Sequence, residues 1–458
     1  MTVVGVALTG LVVWITTPPS TSAGPDTQLD ASGVAALGPS SGLSPVTPGP
    51  TLARSAPTIT GAGAGAGAGA DAATGTAAGG RVGDAPALGS TTTAPSRSAA
   101  VAAAARVPNC TPVSLAQRAA RTLIVGIPDV TEPSDPIVRT VLDIGVGGIF
   151  LNPGNVVSES QLMRLVKGIR AQAGRPIVIT VDEEPGRVSS LGDILGPSPS
   201  ARRMANEGPA SDVRAYAHEV AVILARLGID LNLAPVADLT DGPYDEIIGD
   251  RSISADAAFA SEYALAFAEG MADAGVRSAV KHFPGQGRST EDIHFEEAVP
   301  ITTPLDTLRL TDVRPFRDLV RAGIPVVMMN HIRYSALDRN LPASLSPKAY
   351  ALLRELGFQG AAITDSLGMG AVNLTWGFYD SAPMAVAAGA DGLLATDGFF
   401  AEEMRDGLVD AVAKGRLTDA RLSEAAARMV ALAGGNPRTV ACVDVTLPRL
   451  APTPRPEP

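Results

Sequence analysis

The chain is poor in cysteine. Its 458 residues hold only Cys110 and Cys442, too few for a disulfide-dense scaffold or a cysteine-rich metal centre. Sustained basic runs are missing too. With a net charge of −11 and no Lys/Arg patch, the chain lacks the basic face that phosphate neutralisation requires, so no nucleic-acid partner is expected. The apolar run at the start, "MTVVGVALTGLVVWITTPPS", is shorter than the roughly 20 apolar residues that cross a bilayer. Its apolar part, residues 1–18, lacks a positive flank yet suits a signal-peptide core or an anchor. The expected location is therefore secreted or cell-envelope associated, with membrane contact only through this segment.

Three motifs are also absent. No G-x-S-x-G offers a serine elbow for acyl transfer. No H-E-x-x-H or H-x-x-x-H spacing supports a histidine metal centre. No glycine-rich dinucleotide fingerprint follows the first strand-like segment. Neither a metal nor a cofactor is expected.

What is present divides the chain. Residues 19–107 are Ala, Gly, Ser, Thr and Pro with almost no large apolar side chains, as in "GAGAGAGAGADAATGTAAGG". Such a stretch cannot bury enough surface to offset the entropy of ordering it, so a disordered linker is expected. Residues 446–458 are Pro-rich and are expected to form a loose tail. Between them, residues 108–445 exceed the roughly 250 that a (β/α)₈ barrel commonly takes. Cys110 and Cys442 sit near the two ends of that region, which suits one disulfide joining its termini.

Eight short apolar runs recur along the core at 121–127, 147–152, 176–182, 230–237, 278–283, 325–331, 360–366 and 391–396. They are nearly continuous in apolar content, as strands buried on both faces should be. Amphipathic stretches separate them, among them "SESQLMRLVKGIRAQ", "SDVRAYAHEVAVILARLG" and "ADAAFASEYALAFAEGMADAG". Ser158 and Ser211 are expected as N-caps, with Gln161 three residues after the first. The alternation predicts a single (β/α)₈ TIM-type barrel, with an open doubly wound sheet as the alternative.

A barrel builds its active site at the C-terminal ends of its strands. Those positions hold Asp182 with Glu183, Glu184 and Arg187, then Asp238, and later Asp250 and Arg251. The fifth strand and its loop carry Lys281, His282, Asp292 and His294; the sixth ends in Asn330 and His331, the seventh in Asp365. Three of the four histidines thus fall on one rim. Glycoside hydrolysis needs a carboxylate at the anomeric carbon and a group that protonates the leaving oxygen. Asp365 suits the first role, and His294, oriented by Asp292, the second.

The stretch "KHFPGQGRSTEDIH" resembles the K-H-F-P-G-H-G segment of glycoside hydrolase family 3, followed by the Asp-x-His pair of its β-N-acetylhexosaminidase branch. "NLAPVADL", "IIGDRSIS" and "ITDSLGM" resemble three further family segments, in family order. The resemblance implies a retaining mechanism through a covalent glycosyl-enzyme on Asp365, with His294 and Asp292 as the acid/base pair. It also implies that Asp182, Arg251, Lys281 and His282 bind sugar. Arg187 and His331 join them as candidate contacts from their place on the rim. For these two, an ion pair with Glu183 or Glu184 and a satisfied core histidine are the respective alternatives. The expected partner is a carbohydrate, a glycan containing N-acetylglucosamine or a cell-wall fragment.

The chain departs from the family at "DEEPGRVSS". Glu183 replaces a glutamine, Pro185 a glycine and Ser190 an arginine, and Gln286 stands where the branch often has histidine. Glu183 beside Glu184 is expected to add negative charge to the pocket and to disfavour anionic substrates. These departures keep open a second reading, a catalytically silent sugar-binding envelope protein on the same barrel.

Overall fold

The computed structural model describes residues 108–296 and 299–450. The apolar segment 1–18, the linker 19–107 and residues 451–458 of the tail lie outside the described residues. Eight parallel strands close into a barrel in sequential order. They are β1 (Leu123–Gly126), β2 (Gly148–Leu151), β3 (Val178–Val181), β4 (Leu231–Asn232), β5 (Arg277–Phe283), β6 (Val326–Met329), β7 (Ala361–Ser366) and β8 (Gly392–Ala395). Closure comes from β8 pairing with β1, Leu393 opposite Leu123. Seven strands fall inside the apolar runs, and β5 starts one residue before its run, at Arg277.

Those runs are continuous because both strand faces are buried. Ile124, Val178, Ala279, Val326, Met328 and Ile363 fill the barrel interior, while their neighbours Val125, Ile179, Val280 and Val327 face the helical layer. Met429 and Leu432, from the helix Asp419–Leu432, pack into the interior cluster. Where β8 begins, buried Asp391 gathers Arg354, Arg421 and Arg428 at 3.0, 2.6 and 3.2 Å. Burial pushes its carboxyl up, but the three guanidiniums outweigh that and hold it at about 2.

Two local expectations shift. The fourth run pairs regularly only over Leu231–Asn232, because Pro235 has no N–H to extend the ladder. Pairing resumes as a single bridge between Val236 and Lys281. Ser158 accepts from Gln161 N as expected, but the helix Ala210–Leu227 starts behind Pro209, so Ser211 lies in its first turn instead of capping it. Proline's fixed φ, here −71°, enters the helix without a side-chain cap.

Cys110 and Cys442 are bridged, with Cα atoms 5.6 Å apart across 332 positions. A backbone bond from Val113 N to Val440 O (3.0 Å) lies close by. The packed chain continues past residue 445, for Leu447 and Leu450 join the apolar clusters.

Candidate active site

At the C-terminal ends of the strands lies a cavity of about 270 Å³. Asp182, Arg251, Lys281, His282, His294 and Asp365 line it together. Phe150, Leu233, Met328 and Met369 supply apolar wall between them. Each polar group arrives on the end of a strand or on the loop that follows.

Behind β3 and β5 the charges are matched. Lys281 Nζ bonds Asp182 and stands 2.6 Å from Glu184 Oε1. Arg251 grips the same Glu184 carboxylate through Nε and Nη2, both at 2.8 Å. Burial disfavours the Lys281 charge, but Asp182 and Glu184 outweigh it and raise its pKa. Burial likewise opposes ionisation of Glu184, and Arg251 and Lys281 overcome it, so the carboxylate is held low. Glu184 is the anchor that sequence reasoning passed over as a site residue. Its signal was a glutamate two residues after the strand-end aspartate.

His282 is oriented in the same way. Its Nδ1 lies 2.6 Å from Asp238 Oδ2, while Asp238 Oδ1 accepts the Gln286 N–H at 2.6 Å. The Lys281–His282 peptide is cis, and both side chains line the cavity. Asp238 is fully buried; the sequence placed it on the rim, just past the end of the fourth run, without showing that it would hold His282. Asp365 accepts the N–H of Ser366 at 2.8 Å. Burial pushes its carboxyl up, but His282, His331, that N–H and Lys281 together hold it below the ordinary carboxylate value. It is an ionised carboxylate at neutral pH.

The loop after β5 carries the fourth component. Gly285 has φ +119°, and a Cβ there would lie 2.7 Å from Asp312 Cβ, so the turn requires glycine. His294 Nδ1 sits 2.6 Å from Asp292 Oδ1, which also accepts the His294 backbone N–H at 3.0 Å. Asp292 is held below its usual value: partial burial opposes this, but the two hydrogen bonds from His294 prevail. With Nδ1–H donated to the carboxylate, Nε2 is left as the atom that can exchange a proton. The loop docks on the segment after β7, where Gly370 N donates to His294 O (2.8 Å) and Ala371 N to Ile293 O (3.2 Å). A Cβ at Gly370 would stand 2.5 Å from the Phe295 carbonyl carbon, so only glycine permits this approach. The Asp–His pair and Asp365 are thereby tied to one another through backbone.

Other candidates are not brought to the cavity. Arg187 pairs with neither Glu183 nor Glu184. It bonds Asp250 at 3.1 Å and the carbonyls of Ile247 and Ile248 at 3.2 and 3.1 Å, bracing the loop that carries Arg251. His331 is a buried histidine with both nitrogens engaged, by Ser344 Oγ at 2.7 Å and Ser366 O at 2.9 Å. Nε2 must donate to that carbonyl, so Nδ1 accepts from the serine. Burial lowers its pKa. Ser190 turns inward, its hydroxyl bonding Asp182 N and O at 3.0 and 3.1 Å. Glu183 is 3% exposed and absent from the cavity wall, and burial pushes its carboxyl up to about 7. With Glu184 paired to two cations and Glu183 off the wall, these two glutamates add no unpaired charge to the cavity.

A sugar-sized cavity with an ionised carboxylate and an Asp–His proton pair suits transfer of a glycosyl group to water. The signature of the glycosyl hydrolase family 3 N terminal domain covers residues 115–432, and the chain belongs to that family. It is a glycosidase. The chain is 34% identical over 328 residues to the β-hexosaminidase LpqI of Mycobacterium tuberculosis, spanning 69% of this chain and 82% of that protein. A family 3 glycosyl hydrolase structure from Mycobacterium smegmatis superposes with a TM-score of 0.65 at 37% identity, over 70% of this chain and 97% of the other. A family 3 β-N-acetylglucosaminidase from a Paenibacillus species gives a TM-score of 0.66 at 31% identity, over 70% and 62%.

Proposed function

We propose that the chain is a retaining glycosidase that removes terminal β-linked N-acetylglucosamine, or a related β-hexoside, through a covalent glycosyl-enzyme on Asp365. In the first step an Asp365 oxygen bonds the anomeric carbon as the bond to the leaving oxygen breaks, and His294 Nε2–H gives that oxygen its proton. In the second, neutral His294 takes a proton from water, whose oxygen displaces Asp365 and restores the carboxylate. Asp292 steadies the imidazolium before the first step and after the second. Asp182, Arg251, Lys281 and His282 hold the sugar hydroxyls. Arg187 and His331, with their donors engaged elsewhere, act on loop and floor.

The observation that carries this reading is the pairing of an ionised Asp365 with an Asp292–His294 pair docked on the segment that follows it. The names of the relatives supply the N-acetylhexosamine. A silent sugar binder would need neither group. We further propose action outside the cytoplasm, a reading supported by the apolar N-terminal segment and the bridged cysteines. Mass spectrometry of the mature N-terminus tests that location.

The decisive experiment compares wild type and Asp365→Ala on an aryl N-acetyl-β-glucosaminide and the matching β-glucoside. Turnover should favour the first substrate and vanish in the variant, and a slow fluorinated glycoside should label the Asp365 peptide. A label elsewhere, or near-full activity of the variant, rejects the nucleophile. No turnover of any aryl β-glycoside, with sugar still bound, favours the silent binder.

A further inference from the structure

We propose that Gln286 is a specificity-determining residue, whose carboxamide hydrogen-bonds one polar substituent of the sugar in the cavity. The inference rests on the reading that this cavity holds a sugar. Gln286 lies in the loop after β5, is 3% exposed, and lines the cavity. Its backbone is fixed, because its N–H donates at 2.6 Å to the Asp238 carboxylate that also holds His282. The side chain therefore presents its amide from a rigid position.

Among the described residues, every other buried polar side chain on the cavity wall has a protein partner. Lys281 has Asp182 and Glu184, His282 has Asp238, Asp365 has the Ser366 N–H, and Ser366 Oγ accepts from Thr396 N. Gln286 differs. Its Oε1 is shut off from solvent without any donor. A buried amide oxygen with no donor is destabilising, and such atoms in native proteins are normally satisfied by a guest or an ordered water. A pyranose bearing hydroxyls and an acetamido group offers both donors and acceptors, which matches the two ends of a carboxamide.

The contact is of a different kind from those around it. Asp182, Lys281 and Arg251 belong to a matched ionic cluster, so their hydrogen bonds to a sugar compete with strong internal pairs. Gln286 Oε1 has no internal donor to give up. Its hydrogen bond is gained in full on binding, and a sugar lacking the matching substituent leaves the amide unsatisfied. Sites built this way reject the analogue that lacks the group.

The test is a double-mutant cycle between residue and substrate. Wild type and Gln286→Met, which keeps the length and removes the amide, are assayed on an aryl N-acetyl-β-glucosaminide. The same pair is assayed on analogues lacking the acetamido group or one of the 3-, 4- and 6-hydroxyls. The variant should lose about ten- to hundredfold in kcat/KM on the parent sugar. On one analogue, and only one, that loss should disappear, because the partner is already gone. An unchanged kcat/KM on the parent, or the same loss on every sugar, overturns the proposal. Should the Met variant melt early, Gln286→Leu and Gln286→Asn are carried through the same cycle, and a substituent-independent loss in both overturns it equally. Absence of wild-type turnover would instead sink the glycosidase reading. Calorimetric titration with N-acetylglucosamine then decides on Gln286, since an unchanged Kd in the variant removes its role.

Discussion

Glu184 Oε1 and Lys281 Nζ meet at 2.6 Å with each side chain 1% exposed, from strand ends two apart around the barrel. The same carboxylate receives two N–H groups of Arg251, so Glu184 bridges two cations, whose charges it balances together with Asp182. Removing one member of such a buried cluster leaves the others uncompensated, at a cost of about 3–5 kcal/mol. Glu184→Gln should therefore lower the unfolding free energy by about that amount and reduce turnover strongly by releasing Lys281 and Arg251. Urea unfolding measures the first effect. A loss below about 1 kcal/mol would show that Glu184 is not the anchor.

Glu183 carries the opposite sign. Burial raises its carboxyl from 4.5 to about 7, with hydrogen bonds from Ser189 Oγ and Leu191 N opposing. The folded state then holds the proton more tightly than the unfolded chain. The associated stability is fully present below pH 4.5 and is lost as pH rises through about 7. That rise corresponds to about 3 kcal/mol. Glu183→Gln, which cannot ionise, should stabilise the protein at pH 8 by up to that amount and leave it little changed at pH 4. Melting curves across this range check the slope. Equal effects at both pH values would contradict the buried, titrating carboxyl.

If His294 protonates the leaving oxygen, its loss should depend on the leaving group. His294→Ala should retain the first step on an activated aryl glycoside far better than on a chitobiose-like substrate. The covalent intermediate should then accumulate, and azide should speed its breakdown. Asp292→Asn keeps the imidazole but removes its charged partner at 2.6 Å, so the same pattern should appear in milder form. Parallel losses on both substrates, with no azide rescue, would reduce the loop to a cover over the sugar.

The Cys110–Cys442 bridge closes 332 positions of sequence. Loop-closure entropy puts its stabilising effect at up to about 5 kcal/mol. Neither cysteine lines the cavity. Reduction, or Cys110→Ser with Cys442→Ser, should lower Tm while kcat/KM below the transition stays the same. An unchanged Tm would mean that the termini are held by packing alone.

The eight strands were legible because a barrel strand is apolar on both faces, and that signal survives in a single sequence. The rim was legible for a related reason: polar residues directly after an apolar run have only the strand end to occupy. Such reading places a residue on the rim without saying which way its side chain turns. Arg187 and His331 occupy the expected strand ends, yet one reaches Asp250 and the other Ser344. Glu184 and Asp238 looked incidental until Arg251 and His282, 67 and 44 positions away, closed on them. The local chain determined the barrel and the list of polar groups at its mouth. Only the tertiary structure decided which groups face the cavity and which brace it, because a buried charge or amide takes its direction from a partner supplied by a distant strand.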